Sequence, residues 1–553
     1  MFGRRRGAGQ GWRTIEAERE VLAVVRTVTS ASRLLDVLPV FDGDLRVQVS
    51  FTVSAGSAFG GGLPDFLHGM RVVPWRRAVR TRFDLALTAS ANGALHRLKA
   101  PVAVMPHGVG HNRLVEAATG HPDVASGLSR GQLLHRGRVV PSLLVLSHAE
   151  QLARLRRTCP DAARVAIVTG DPAFDTMTSS LPARDRYRRA LGAGPGQRLL
   201  VFSSTWGPRS LFGRHPGLLA RWVAQLPIDR YRAALILHPN VWARHGEPQI
   251  DLWLADALDA GLRLVPPERG WQAALVAADW VVGDHGSVTY YAAALRRPTA
   301  LAAFGAEELA PDSPLAAFGA GRPLLDPRRP LLDQLGGLRP PADLPDALGN
   351  RGNGARDLRR ALYALMKLDP PPVAPRQRSL PEPAGRYREV ASVLVAGTAR
   401  ADRVELDRYP ATLDGDDLDD PHLLVEEIEA DRRLLESAAV FVRREPPADA
   451  DAWAKDVLAA YPGADLAVAS LGDERALIVH RDGPRLVGRG GDVALIAAAV
   501  RLRHAAGLPL DGTWTVSTGA EEVRINVTPP RWFSGQVSMI ARRAAARRRY
   551  VAA

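Results

Sequence analysis

The sequence predicts an α/β protein with two Rossmann-like, doubly wound domains, followed by a smaller α+β domain. Between residues 18 and 305, short continuous apolar runs alternate with helical segments. Continuous apolar runs are typical of parallel strands that are buried on both faces. Beyond a Pro-rich segment the runs alternate in polarity. Asp482-Gly483 forms a hairpin-like turn between two of them, and the alternating runs TWTVST and VRINVT predict a second hairpin. The change in pattern predicts a third domain of a different class.

These patterns divide the chain of 553 residues into five segments. We predict an N-terminal Rossmann-like domain over residues 1–180 and a C-terminal Rossmann-like domain over 181–370. A Pro-rich linker at 371–390, the α+β domain at 391–530 and a basic tail at 531–553 complete the chain. The predicted strands of the two Rossmann-like domains lie at 21–25, 45–53, 83–90, 101–108, 143–147, 164–172, 198–207, 231–240, 262–267, 280–288 and 298–304.

The charge of the chain is strongly positive, with a net value of +13. Only Lys99, Lys367 and Lys455 are lysines, so the charge comes from an Arg excess that is typical of GC-rich coding. No basic motif interleaved with aromatic residues is present, which argues against a nucleic-acid partner. The basic tail can lie on an anionic membrane surface or be a solvated segment, and the sequence leaves both open.

The cysteine count and the hydropathy predict a cytoplasmic protein. Cys159 is the sole cysteine, so an intrachain disulfide is excluded. No apolar run is long enough to span a bilayer, and no apolar segment follows the N-terminal arginines as in a signal peptide. We therefore expect a cytoplasmic location, with peripheral binding to the inner face of the membrane if the tail contacts lipid.

The stretch at 281–298 predicts a strand, a tight turn and the start of a helix. It reads VVGDHGSVTYYAAALRRP, with an apolar run before GDHGS and a helix-forming run after it. The first turn of a helix has unpaired N–H groups and the positive end of the helix dipole, so it binds anions such as phosphate. The alternative is an ordinary connection in which Asp284 and Ser287 only cap the helix.

Polar motifs end five of the predicted strands, and together they indicate one cleft. They are PHG with His107, GDP with Asp171, SSTWG with Ser203 to Trp206, HPN with His238 to Asn240, and GDHGS with Asp284 to Ser287. Ligands of doubly wound domains bind at the carboxyl ends of the strands. Two such domains facing one another would bring the five motifs together.

The ordered set of motifs resembles the CDP-glycerol glycerophosphotransferases, the teichoic-acid polymerases with a GT-B fold. The matching segments are MPHG at 105–108, TGDPAFD at 169–175, SSTWG at 203–207, LHPN at 237–240 and GDHGSVTYYAAALRRP at 283–298. Two positions depart from the family pattern, since Pro106 replaces a Trp and Gly286 replaces a Ser. The HPN and GDHG motifs also resemble UDP-GlcNAc 2-epimerases, which share the GT-B architecture.

The resemblance implies that the domain at 1–180 is the acceptor-side domain and that the domain at 181–370 binds the nucleotide donor. It also implies roles for residues in and beside the motifs. His107 would be the general base that takes the proton of an acceptor hydroxyl, while His238 would donate a hydrogen bond to the donor pyrophosphate. Further donor or phosphate contacts are implied for Asn240, Asp284, Gly286, Ser287, Ser203, Ser204 and Thr205. Acceptor-side contacts are expected from Gly108, His111, Asn112 and Arg113, which lie at or beside the HG motif.

The function implied is transfer of a phospho-alcohol, such as glycerol phosphate, from a CDP-activated donor to an acceptor hydroxyl in cell-wall or surface-polymer synthesis. The expected partners are a nucleotide-activated small-molecule donor and a polymer or lipid-linked acceptor. A UDP-sugar glycosyltransferase or 2-epimerase-like enzyme, and a non-catalytic nucleotide-binding scaffold, remain alternatives. No metal-ligand pattern such as HExxH is present, so we predict neither a bound metal nor a cofactor.

Overall fold

The computed structural model describes residues 14–54, 56–57, 60–413, 418–519 and 521–530. The predicted basic tail at 531–553 lies outside these ranges, and so does the choice between membrane contact and a solvated segment. None of the helices within them is long and apolar enough to cross a membrane.

The first domain contains a parallel sheet of six strands. Its strands, with the two of a small separate hairpin (β5 and β6), are β1 Arg19–Val25, β2 Val47–Val53, β3 Leu85–Thr88, β4 Val102–Val104, β5 Leu134–His135, β6 Arg138–Val139, β7 Leu143–Leu146 and β8 Ala166–Val168. Its helices are α1 Val28–Val37, α2 Leu63–Phe66, α3 Trp75–Ala78, α4 Glu116–Thr119, α5 Arg130–Leu133, α6 Ala149–Thr158, α7 Pro160–Ala163 and α8 Pro172–Ser179. The strand order β2-β1-β3-β4-β7-β8 reverses between β1 and β3, which makes the C-terminal ends of these two strands a switch point where ligands bind.

The second domain has a parallel sheet of five strands. They are β9 Arg198–Ser204, β10 Tyr231–Leu237, β11 Arg263–Val265, β12 Trp280–Gly283 and β13 Thr299–Leu301. The helices that follow β8 are α9 Arg184–Ala190, α10 Leu211–Arg214, α11 Leu218–Ala224, α12 Pro239–His245, α13 Glu247–Trp253, α14 Ala255–Asp259, α15 Trp271–Ala277, α16 Ser287–Ala294, α17 Pro314–Ala320, α18 Leu331–Leu335 and α19 Gly354–Met366. In the order β11-β10-β9-β12-β13 the switch point lies between β9 and β12.

The apolar strands explain why both sheets form. Val21 to Val25 in β1 are fully buried, and Leu199 to Phe202 in β9 are nearly so. Helices cover both faces of such sheets, which leaves no exposed face that would require polar alternation. The prediction of two Rossmann-like domains is confirmed, and they face one another in the GT-B arrangement.

The polypeptide passes between these two domains three times. It first leaves α8 for α9, which packs against α15 of the second domain. It then returns with α19, whose Leu362 and Tyr363 join the core around the first sheet. Finally it comes back through the Pro-rich segment, where Leu380 accepts a hydrogen bond from Tyr187 at 2.7 Å and Arg386 pairs its main chain with Leu264.

The third domain is a closed sheet of nine strands that packs around one helix. The strands are β14 Ser392–Ala399, β15 Arg403–Pro410, β16 His422–Glu426, β17 Val440–Arg443, β18 Leu466–Gly472, β19 Arg475–His480, β20 Arg485–Arg489, β21 Gly512–Ser517 and β22 Glu522–Thr528, and the helices are α20 Arg432–Ser437, α21 Ala450–Ala460 and α22 Val493–Ala505. The two predicted hairpins are confirmed as the antiparallel pairs β19–β20 and β21–β22. Closure depends on the pairing of β14 with both β15 and β16. An ion pair of Arg408 with Asp229, at 2.5 Å, fixes this domain to the second.

Candidate functional site

A cleft lies between the two Rossmann-like domains, at the C-terminal ends of both sets of strands. It has about 1330 Å³ of empty space, including the part that is open to solvent. Among the residues predicted from sequence, those that line it are His107, Gly108, His111, Asn112, Arg113, Ser203, Ser204, Thr205, His238, Gly286 and Ser287. Four of the five strand-end motifs therefore meet in one place, whereas the GDP motif with Asp171 does not line the cleft.

The two walls of the cleft come close together at Gly108 and Ser287. A Cβ atom on Gly108 would lie 2.7 Å from the Ser287 hydroxyl oxygen, which is shorter than a normal contact. Only a residue without a side chain fits there as the domains now stand.

His107 presents one free ring nitrogen to the cleft. Its Nδ1 lies 3.2 Å from the carbonyl oxygen of Ala89, at the end of β3. A carbonyl can only accept, so Nδ1 carries the proton and Nε2 holds a lone pair. The side chain of His107 is open to the cleft, yet desolvation by the surrounding walls lowers its pKa, and the charge of Arg33 lowers it further, although the bond to Ala89 opposes both effects. The neutral form, which can accept a proton, is therefore favoured.

His238 has the opposite arrangement of its ring nitrogens. It is the N-cap of α12, and its Nδ1 accepts a hydrogen bond from the backbone N–H of Asn240 at 3.1 Å. The neutral ring therefore carries its proton on Nε2. Burial, together with His107 and Arg113, lowers the pKa of His238 to about 3. His238 is thus a neutral hydrogen-bond donor at neutral pH.

His111 is a buried histidine with one unsatisfied nitrogen. Its Nδ1 donates to the carbonyl of Ser126 at 2.9 Å, and its Nε2 has no partner among the described residues. Burial is the first cause that lowers its pKa, to about 3. A buried acceptor without a partner is costly, so a ligand that donates a hydrogen bond would be stabilised there.

Asp284 and Asn240 lie behind the cleft and do not line it. Asp284 is fully buried and accepts from the backbone N–H groups of Thr205 at 2.9 Å, Leu211 at 2.8 Å and Gly286 at 3.0 Å. It joins the loops that follow β9 and β12. Burial is the main cause that raises its pKa, against these three hydrogen bonds. Asn240 is also buried, and its backbone orients His238.

The turn after β12 leaves a helix N-terminus at the cleft. Gly286 is the N-cap of α16, and among the described residues no side chain caps that helix end. Ser287 is the first helical residue, so the alternative in which its hydroxyl caps the helix is wrong. The Ser204 hydroxyl is occupied within the fold, because it accepts from the Phe212 N–H at 3.0 Å and donates to the carbonyl of Thr205 at 3.1 Å.

Arg113 connects the two domains beside the cleft. It comes from the loop after His107, pairs with Glu308 of the second domain, and stacks over the Trp206 ring at 4.0 Å. Glu308 also accepts from Nε2 of His285 at 2.9 Å. Burial opposes the charge of Glu308, yet His285 and Arg113 keep its pKa below the usual value. His285 is therefore a buried positioning group.

Sequence reasoning missed the part of the cleft that α1 forms. Thr29, Ser32, Arg33 and Asp36 line it from the first domain. Burial raises the pKa of Asp36 to about 6, while Arg33 and a 3.0 Å hydrogen bond from Gln272 oppose that shift. The signal in the sequence is a polar stripe at i, i+3, i+4 and i+7, directly after the central strand.

Comparisons with family models and with curated proteins do not assign the chain to a family. No family model matches the chain, and no curated protein matches it. Among the solved structures that show some similarity are the following three. The wall teichoic acid polymerase TagF is 13% identical, with a TM-score of 0.38, over 64% of this chain and 82% of that one. The UDP-GlcNAc 2-epimerase of Methanocaldococcus jannaschii, in complex with UDP-GlcNAc and UDP, is 12% identical, with a TM-score of 0.41, over 62% and 99%. The S. aureus MnaA–UDP co-structure is 11% identical, with a TM-score of 0.35, over 51% and 79%. The assignment of the fold rests on the strand order and the facing domains described above.

Proposed function

We propose that the chain is a GT-B-type transferase that moves a phospho-alcohol from a CDP-activated donor to an acceptor hydroxyl. The acceptor oxygen attacks the β-phosphorus, the bond from that phosphorus to CMP breaks, and Nε2 of His107 takes the hydroxyl proton. The products are CMP and a new phosphodiester. A polymer or lipid-linked acceptor, as in cell-wall synthesis, would supply the hydroxyl.

The observation that carries the proposal is the opposite protonation of two histidines in one cleft. His107 offers a lone pair and His238 offers an N–H, each because its Nδ1 is already bonded. Phosphoryl transfer requires a base for the nucleophile and donors for the phosphate oxygens. The uncapped N-terminus of α16 gives further N–H groups for the donor phosphates.

The first-domain residues near His107 suit an acceptor that carries hydroxyl groups. The unpaired Nε2 of His111 can accept from such a hydroxyl. Asn112 lies beside it in the same wall. In this assignment Gly108 keeps the wall close to Ser287, and Arg113 holds the loop through Glu308.

The test is CMP release from CDP-glycerol by the purified protein, with a hydroxyl-bearing acceptor present. We expect His107→Ala to lower kcat by about 10²- to 10⁴-fold, the usual contribution of a general base. His68→Ala is the matched control, since His68 is an exposed histidine of the same domain outside the cleft. Full turnover in His107→Ala would refute the assigned base.

A second candidate is a reaction on a UDP-sugar, as in a glycosyltransferase or a 2-epimerase. The carboxyl group of Asp36 favours it, because a cleft group with a pKa of about 6 can exchange a proton near neutral pH. UDP release or sugar epimerisation, without turnover of CDP-glycerol, would select this candidate. Nucleotide binding with no turnover of either donor would instead support a scaffold.

A further inference from the structure

A buried chain of hydrogen bonds connects the second domain to the peptide group beside His107. The Tyr291 hydroxyl, on α16, donates to Oδ2 of Asp171 at 2.5 Å. The other carboxylate oxygen of Asp171 lies 2.7 Å from Nη1 of Arg33. Nε of Arg33 donates to the carbonyl of Pro106 at 3.1 Å. The chain thus runs from a helix of one domain to the residue that precedes the proposed base in the other.

The side chains of Asp171 and Arg33 are largely removed from solvent. The side chain of Asp171 is 0% exposed and that of Arg33 6%. Asp171 also accepts from the Ala173 N–H at 3.0 Å, as the N-cap of α8. In a buried ion pair each partner would be left uncompensated if the other moved, so the geometry is fixed more strictly than at a surface.

The contact at Pro106 fixes the main chain that enters His107. The Pro106 carbonyl belongs to the same planar peptide unit as the His107 nitrogen, so orienting that oxygen orients the start of His107. The His107 ring is held separately by the Ala89 carbonyl. Two bonds, one on the backbone and one on the ring, therefore determine where Nε2 of His107 lies.

The other end of this chain of hydrogen bonds depends on the position of α16, the helix whose N-terminus is assigned to the donor phosphates. Tyr291 follows Ser287 by four residues on α16, so the two lie on the same face, one turn apart. A movement of the Ser287 end of α16 changes the Tyr291–Asp171 contact. The helix end assigned to donor phosphates and the loop of the base are linked through Asp171 and Arg33.

We propose that Tyr291 and Asp171 are positioning residues which, through Arg33, set the orientation of His107 according to the position of α16. The inference rests on the proposed function, because it assigns these residues to the support of the same base. The base is then aligned when the donor-side helix is in place against the first domain.

The first test is Tyr291→Phe, which removes only the hydroxyl, with Tyr290→Phe as the matched control. Tyr290 is the adjacent residue of α16, is equally buried, and also loses one hydroxyl bond, in its case to the carbonyl of Pro345. We expect Tyr291→Phe to lower kcat for CMP release about tenfold, with the KM of the donor within about twofold, because alignment acts on the transition state. Tyr290→Phe should leave both parameters unchanged.

The second readout does not require turnover. Diethyl pyrocarbonate modifies neutral imidazole, and peptide mass spectrometry can follow its reaction with His107 as a function of pH. Arg33 is one of the groups that lower the pKa of His107. We therefore expect the midpoint of the profile to rise by about 0.5 pH unit in Tyr291→Phe, because the charge of Arg33 moves away from His107 once Asp171 has lost its bond to Tyr291, and to stay in place in Tyr290→Phe.

Arg33→Lys is the second variant, in case Tyr291→Phe does not fold. A lysine keeps the positive charge beside Asp171, but its single nitrogen cannot contact both Asp171 and the Pro106 carbonyl, as the guanidinium group of Arg33 does. The same decrease in kcat and the same shift of the His107 profile are expected. Either variant behaving like Tyr290→Phe in both readouts would overturn the inference. If wild type releases no nucleotide from any donor, the proposed function fails, and the His107 profile alone decides the positioning role.

Discussion

The two walls of the cleft are held in different ways. On the second-domain wall, His238 is oriented by the N–H two residues later in its own helix, and Asp284 joins neighbouring loops of one sheet. On the first-domain wall, His107 is held by Ala89 and, through Pro106, by Arg33. The contact of Arg33 with Asp171, and of Asp171 with Tyr291, extends this support into the other domain.

This difference separates a wall that is preformed from a wall that depends on domain contact. The second domain can hold its phosphate-facing groups in place by itself, because their partners lie within it. The first domain completes the support of His107 only when α16 is in contact with it. Donor binding and base alignment should therefore respond differently to substitutions, and the following predictions examine that contrast.

The largest effect is expected from Asp284→Ala, which removes the centre of the second wall. Three buried N–H groups would lose their acceptor. We expect the free energy of unfolding, measured in urea, to fall by about 3 kcal/mol. Asp256→Ala, at an exposed position in the same domain, is the control and should change it by less than about 0.5 kcal/mol. Equal losses would mean that Asp284 does not hold this wall.

Gly108→Ala would place a methyl group between the two walls. The new Cβ would lie 2.7 Å from the Ser287 oxygen, so the walls must separate by a few tenths of an ångström. We expect about tenfold weaker binding of CDP by calorimetry, since a strained contact of this kind costs about 1–3 kcal/mol. Gly337→Ala, where no atom lies within 4 Å of the new Cβ, should not change it. If Ser287→Ala does not lessen the effect of Gly108→Ala, the close contact is not its cause.

The pH dependence of turnover reports on the first wall. His107 acts as a base only when neutral, and burial lowers its pKa below the usual value near 6.5. The acid limb of kcat/KM should therefore lie below pH 6.5, with activity lost as the pH falls through the lowered pKa. Arg33→Lys should move this limb toward higher pH. A limb at or above the ordinary value in wild type would contradict the desolvated, neutral state of His107.

The smallest effect is expected at Asn240, where two substitutions distinguish the role of the side chain from that of the backbone N–H. Asn240→Ala keeps the N–H that orients His238, so CDP affinity should change less than about twofold. Asn240→Pro removes that N–H at a first-turn position where proline is tolerated, and should weaken binding by about threefold. Calorimetric titration of both variants decides the point, and a larger loss in the alanine variant would place the amide side chain itself in the site.

The difference between the two walls also explains which parts of the site could be predicted from the sequence. The motifs of the second wall are contiguous, and their strand-end positions follow from buried runs and turn residues. Asp171 stands out in its motif, but its partner Tyr291 is 120 residues away and Arg33 lies on another helix. No local signal pairs them. The stripe of α1 that contains Asp36 was readable from its spacing, yet only the facing domain makes it part of a cleft.

The third domain gives a similar lesson. Its two hairpins followed from turn chemistry and alternation in the sequence. The closed sheet did not, because closure requires the parallel pairing of β15 with β21 and the antiparallel pairing of β14 with β16. Long-range strand pairing has no signature in a local window of sequence.

The three passages of the polypeptide between the Rossmann-like domains also affect how the molecule can move and how it would respond to a protease. The two domains cannot rotate about a single peptide, since any change in the angle between them must be accommodated at all three crossings together. This favours small bends over a wide opening of the cleft. After a cut near residue 181, α19 belongs to the C-terminal fragment but still packs on the sheet of the N-terminal fragment. We therefore expect a nicked chain to elute as one particle under native conditions.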